Sequence, residues 1–355
     1  NTRENPRISP FKNSQRIRFG YKLKSGKSKP TFIDLFAGIG GFRIGMEHAG
    51  FKNVFSNDYD KYASQTYEAW FGSDNHICQS VLDEGILDQI PKHDVLCGGF
   101  PCQPFSNAGK KLGFKDNKQG NLFFRIAEIA AVKRPKVIFL ENVRTLLNHD
   151  NKETFKTIIR EMNKLGYEGT YQIINSKYWV PQNRVRIYMV FFDVNKTHLN
   201  KIHAFDQELL AIKEGGGKSI KAFSSIKETK PDKSVQIPEG TWESLKLHKA
   251  RHKAAGRGFG FKLVTDFSKP TNTLSARYAK DGAEILIEEG WKRPRKITLT
   301  EAKNLMGFND LYANTYNHPN GFPIICSNAQ SYKQLGNAVI PEIIEDIGTL
   351  IAKYI

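Results

Sequence analysis

Between Thr31 and about Asp193, short apolar runs alternate with amphipathic stretches, the pattern of a parallel sheet whose strands are joined by crossover helices. The runs TFIDLF (31–36), NVFSND (53–58), HDVLCGGF (93–100), PKVIFLEN (135–142), YQIINS (171–176) and RIYMVFFD (186–193) predict strands. Pieces between them, such as GFRIGMEHAG and LFFRIAEIAAVK, predict helices. After Asp193 the periodicity fails: EGGGKS, ETKPDKS and AAGRGFGF are turn-rich, which predicts a second, irregular unit from near residue 195. Periodicity returns in LTEAKNLMGF and in AVIPEIIEDIGTLIAKYI, the latter predicting a closing helix.

Composition narrows the class. A chain of 355 residues with 39% hydrophobic content buries a large core. No apolar run reaches the roughly 18 residues of a membrane span and the first thirty residues hold no signal-like stretch, so a cytoplasmic protein is expected. Four cysteines (Cys78, Cys97, Cys102, Cys326) form no CxxC pair, and no histidine cluster marks a zinc site, so neither a disulfide framework nor a metal is expected. The charge is more informative. Of a net +17, sixteen come from two stretches: residues 1–29, with nine basic side chains against Glu4, and Leu245–Lys280, with nine against Asp266. Such concentration is the footprint of a polyanion partner, most often nucleic acid, although the first stretch reads equally well as a solvated arm.

Four segments carry chemistry. Asp34-Leu35-Phe36-Ala37-Gly38-Ile39-Gly40-Gly41-Phe42 runs from a strand into glycines, where the backbone turns tightly beside a ligand. Arg43 occupies the place of the third glycine of the dinucleotide fingerprint, and Asp58 ends the next strand, where an acid accepts hydrogen bonds from ribose hydroxyls. A nucleoside cofactor without a pyrophosphate fits this better than NAD, though the pattern also suits a purely structural turn. Gly98-Gly99-Phe100-Pro101-Cys102-Gln103-Pro104-Phe105-Ser106 sets Cys102 in a loop just past a strand, where a thiolate can reach a substrate. Cys97, inside the strand, reads as core. Glu141 ends the strand PKVIFL, and Gln182-Asn183-Arg184-Val185-Arg186 enters the strand RIYMVFF. Glu141 would share a sheet edge with Cys102 and Asp58, while an ordinary rim ion pair with Arg186 is the alternative.

Taken in order, DLFAGIGGF, GFPCQPFS, ENV, QNRVR and Gln334-Leu335-Gly336-Asn337-Ala338-Val339 resemble the motif set of the cytosine-5 DNA methyltransferases, particularly those of bacterial restriction-modification systems. The resemblance runs from about Thr31 to the C-terminus, weakest between about 195 and 268, and PTNTLSARY and LTEAKNLMGF are similar to the family's segments around its hinge. It implies an α/β fold, the Rossmann-like sheet of S-adenosylmethionine-dependent methyltransferases, with a smaller irregular target-recognition domain. It implies further a basic arm (1–29), a catalytic and cofactor domain (30–194), target recognition (195–296), a hinge (297–326) and a C-terminal return (327–355). Cys102 would be the nucleophile, with Glu141 at N3 of the cytosine, Arg186 at its O2, and Arg184 supporting the pocket. Phe36, Gly38, Gly40, Asp58 and Tyr59 would line the site of S-adenosyl-L-methionine, and Asn337 would couple the last segment to it. Gln103, Ser106, Arg251, Lys253, Arg257 and Arg277 are the candidate contacts to duplex DNA. Two departures stand out: Asp58 occupies a place where the family often has Glu, and no acid near the third strand reads as the adenine contact, Asp74 being offset. A monomer is expected, with a cognate restriction endonuclease as a possible companion. A tRNA cytosine-5 methyltransferase and a catalytically silent DNA-binding paralogue are the alternatives.

Overall fold

The computed structural model describes residues 28–101, 122–258, 260–280, 282–309, 316, 318 and 321–355. The first half alternates strand and helix: β1 (Thr31–Leu35), α1 (Gly41–His48), β2 (Lys52–Asp58), α2 (Lys61–Phe71), β3 (His76–Cys78), α3 (Ile86–Gln89), β4 (Val95–Gly99), α4 (Leu122–Lys133) and β5 (Val137–Val143). Then follow α5 (Glu153–Lys164), β6 (Tyr167–Asn175), β7 (Val185–Asp193), α6 (Leu199–Lys213), α7 (Glu239–Ala254), β8 (Leu263–Val264), β9 (Leu286–Ile287), β10 (Arg295–Lys296), α8 (Leu299–Leu305), α9 (Asn328–Asn337) and α10 (Pro341–Ala352).

Seven strands form one sheet in the order β3-β2-β1-β4-β5-β7-β6, the methyltransferase form of the Rossmann fold, and three two-residue strands form a second sheet, β10-β9-β8. β1 to β5 are parallel, but β7 pairs antiparallel with both β5 and β6. The all-parallel sheet expected from the strand-helix alternation is therefore corrected at β7, which follows β6 through a short connection with no crossover helix. The central strands are apolar throughout because both faces are covered. Phe32, Cys97 and Phe139 pack toward α1 and α10, while Ile33, Leu96 and Ile138 pack toward α4 and α5.

Glycines set how closely α10 approaches. A Cβ at Gly45 would lie 2.5 Å from Ile344, and one at Gly41 would lie 2.8 Å from Val339. Gly41 of the first motif and Gly45 just beyond it thus serve close packing. α6 falls within the stretch expected to open the second unit. Its Phe205 nevertheless packs edge-on against Phe192 of β7 and Tyr354 beyond α10.

The small sheet has its own core of Ile237, Phe261 and Leu286, against which Trp242 and Leu245 of α7 rest. A buried ion cluster joins it to α8. Arg295, fully buried, donates to Glu301 at 2.7 and 2.9 Å and to Glu289 at 2.6 Å, while Glu301 also closes the capping box of α8 with Thr298.

Candidate active site at the carboxyl rim of the sheet

Parallel strands bring their carboxyl ends to one rim, and the antiparallel β7 brings its amino end to the same place. Register makes this concrete: Leu35 pairs with Asn57 and Gly98, Gly99 with Glu141, and Val143 with Arg186. Asp58, the turn after β1, Glu141 and Arg186 therefore follow one another along the rim. Asp74 precedes β3 and lies at the opposite edge.

On the β1–β2 side, Phe36 (φ 57°) and Gly38 (φ 55°) both adopt left-handed conformations, strained for the phenylalanine and natural for the glycine. The Asp58 carboxylate holds this turn by accepting from the Gly38 N–H at 2.8 Å and from the Asp60 N–H at 2.8 Å. Burial pushes its pKa up, opposed by those hydrogen bonds. Each oxygen keeps a further lone pair for a hydroxyl donor, and Tyr59 beside it is 75% exposed. A Cβ at Gly38 would meet nothing within 4 Å, whereas one at Gly40 would lie 2.2 Å from the Phe71 ring. Of these two glycines only Gly38 faces open space; Gly40 (φ 86°) is favoured by its left-handed backbone and lies against the Phe71 ring. Asp34 lies within β1 with its carboxyl fully buried, and burial pushes its pKa well up.

On the β5–β7 side, Glu141 is 8% exposed and its Oε1 lies 3.2 Å from the Arg186 Nε. The ion pair is thus present, but in a nearly closed position rather than in solvent. Burial raises the Glu141 pKa, and the neighbouring Arg186 and Arg184 only partly offset it. Such a carboxyl retains a proton at a pH where an exposed glutamate has lost it. Asn142 donates to the Phe100 carbonyl at 2.8 Å and so fixes the end of β4 from which the chain proceeds to Cys102. Cys102 itself lies outside the described residues, as do Gln103 and Ser106. Cys97 is buried within β4, and burial pushes its thiol well up.

The QNR segment does something that its sequence did not announce. Arg184 donates to the carbonyls of Leu274 (3.1 Å), Gly336 (3.0 Å) and Ala338 (2.9 Å). Burial, then Arg186, lowers its pKa to about 9. Gln182 donates to the Leu305 carbonyl at 2.9 Å and accepts from the Leu274 N–H at 2.7 Å, and the Asn183 N–H donates to Thr271 at 2.8 Å. Three consecutive side chains and their backbone thus staple the 271–274 segment, α8 and the end of α9 to the sheet. Gly336 permits the approach, since a Cβ there would lie 2.4 Å from the Ser275 backbone. Asn337, by contrast, ends α9 in an exposed position. Arg251 and Lys253 on α7, Arg257 just beyond it and Arg277 are all exposed.

Strand order and rim chemistry together define an α/β methyltransferase. The chain belongs to the C-5 cytosine-specific DNA methylase family, whose model matches residues 30–353. It is a DNA (cytosine-5-)-methyltransferase, and the tRNA and silent-paralogue alternatives fall away. It is 43% identical over 342 residues to the type II methyltransferase M1.ScrFI of Lactococcus lactis subsp. cremoris, covering 95% of this chain and 79% of that protein. It is 42% identical over 318 residues to M.NlaX of Neisseria lactamica, covering 89% and 94%. Among solved structures, a Spodoptera frugiperda DNMT2 variant superposes with a TM-score of 0.66 at 18% identity, covering 91% of this chain and all of that one, a likeness of fold. Among the described residues, no helix is long and apolar enough to cross a membrane.

Proposed function

We propose that this chain is a type II modification methyltransferase that methylates one cytosine within a specific duplex DNA sequence, with S-adenosyl-L-methionine as donor and Cys102 as nucleophile. The observation that carries the reading is the enclosed Glu141–Arg186 pair, adjacent in register to Gly99 and hence three residues from Cys102. Attack of a thiolate at C6 of cytosine loads negative charge onto the ring. A protonated Glu141 donates to N3, and Arg186 donates to O2, where that charge develops. The base has to leave the duplex for this geometry, at a cost of a few kcal/mol in lost stacking and pairing.

Asp58, with a lone pair left on each oxygen, suits the ribose hydroxyls; Tyr59 offers an exposed ring to an adenine face; and Gly38 leaves the open backbone that a nucleoside needs. S-adenosylmethionine bound there supplies the methyl group. Phe36 shapes the turn, and Arg184 and Asn337 act through the closure of the 271–275 segment and α9. Residues from about 195 to 296 form the recognition unit in this reading, its first helix α6 packed on β7, with 297–326 as hinge and 327–355 as return segment. Arg251, Lys253, Arg257 and Arg277, together with Gln103 and Ser106, are the proposed DNA contacts. The chain acts as a monomer at the nucleoid, and a cognate restriction endonuclease is a possible companion that its activity does not require.

Duplex DNA carrying 5-fluorocytosine at the target position tests the mechanism. Release after methyl transfer requires loss of the C5 substituent as a cation, which a proton permits and fluorine does not. A cofactor-dependent adduct stable to denaturing electrophoresis and mapping to Pro101-Cys102-Gln103 is expected, absent in Cys102→Ala and retained in Cys97→Ala. An adduct on another cysteine would overturn the assignment.

A further inference from the structure

We propose that His248 and His252 on α7 form a two-imidazole site for a divalent transition-metal ion of the copper, nickel or zinc class. The spacing puts the two rings on one helix face, one turn apart. Their Nε2 atoms converge to 3.1 Å, with ring centroids 4.4 Å apart and planes inclined at 60°. For metal–nitrogen distances of about 2.05 Å, that separation subtends about 98° at the ion, between the square-planar and tetrahedral angles. Imidazole nitrogen is the donor these metals prefer.

A ring–ring hydrogen bond at this distance requires one Nε2 to accept, so at least one imidazole is neutral. When both rings are neutral, metal binding replaces the N–H···N bond. With His248 as the donor, its proton passes through solvent to the His248 Nδ1, while His252 keeps its proton on the enclosed Nδ1, and both Nε2 lone pairs turn to the ion. No other atom changes hands. Lys249, Arg251 and Lys253 oppose a cation; they lie on exposed helix surface, where charge is screened over about 8 Å at physiological ionic strength, so they weaken the site without closing it. Among the described residues, no group of three or more His, Cys, Asp or Glu side chains converges as a metal cage. The site is therefore an open chelate completed by water, distinct from a structural zinc centre. None of the residues of α7 is fully buried, although Trp242 and Leu245 rest on the small core and His252 is half-buried.

The test is calorimetric titration of the full chain, its thiols alkylated, with Zn²⁺ and separately with Ni²⁺, paired with amide hydrogen exchange over residues 244–256. Binding of one ion is expected, accompanied by slower exchange in that segment, because the chelate ties two turns together. His248→Ala and His252→Ala should each weaken binding roughly tenfold or more and abolish the protection, with unchanged unfolding profiles. Absence of binding, binding indifferent to both substitutions, or protection confined to another segment would overturn the proposal.

Discussion

Replacing Arg184 with methionine, which keeps the chain's length and removes its donors, should unfold the junction that holds the catalytic body to its neighbours. The guanidinium makes three buried bonds, to Leu274, Gly336 and Ala338. Hydrogen bonds from a charged group contribute about 1.5–3 kcal/mol each, which would give about 4.5–9 kcal/mol if they were independent. They are not. Burying the guanidinium itself opposes them, as its pKa, lowered to about 9, shows. A net loss of about 3–5 kcal/mol is the expectation for breaking such a buried charged cluster. For 355 residues that corresponds to a fall in Tm of about 4–7 °C if unfolding is two-state. Arg184→Lys should recover little, because one ammonium cannot span carbonyls on two separate segments. Denaturant melts measured by circular dichroism read the stability, and single-turnover methyl transfer reads whether closure onto the site is lost as well. A methionine variant within about 1 kcal/mol of the parent would refute the staple.

Asp58→Ala should weaken S-adenosylmethionine binding at least roughly tenfold in calorimetry while DNA binding persists, since both its oxygens hold the cofactor turn; unchanged affinity would remove it from the site. Gly336→Ala should cost more than 1 kcal/mol in denaturant melts, because its Cβ would sit 2.4 Å from the Ser275 backbone. DNA affinity should fall with salt by about 0.9 log unit per log unit for each phosphate neutralised, and the triple replacement of Arg251, Lys253 and Arg257 should flatten that slope; an unaltered slope would place the footprint elsewhere. The pKa values of His76 and His93 are lowered to about 4, in each case chiefly by burial. The unfolded chain therefore binds more protons than the folded one between about pH 4 and 6.5, and stability should drop as pH falls through that window, by at most about 1.4 kcal/mol per pH unit for each histidine. His93→Gln should make the melts less pH-sensitive.

The sequence by itself determined the strand–helix alternation through Asp193, the glycine turn, the strand-ending Asp58, the place of Glu141 near the carboxyl end of its strand, and the buried fate of Cys97. All of these follow from local rules: the period of apolar residues, the freedom of glycine, and the position of a residue at a strand's end. β3 is absent from the strands read by apolar pattern because three residues carry no period, and α6 from the first unit because a helix packed on β7 reads the same as a helix in a separate unit. Tertiary structure alone decided that β7 runs antiparallel, which is what delivers Arg186 to the rim beside Glu141. It also decided that Gly41 packs under Val339, Gly45 under α10 and Gly40 beside Phe71, because a glycine's neighbours across space are not written in its neighbours along the chain. The QNR staple is the plainest case. Its donors are legible in the sequence, but its acceptors are backbone carbonyls 90 to 154 residues away, and every residue offers the same carbonyl, so only the packed chain selects which three Arg184 holds.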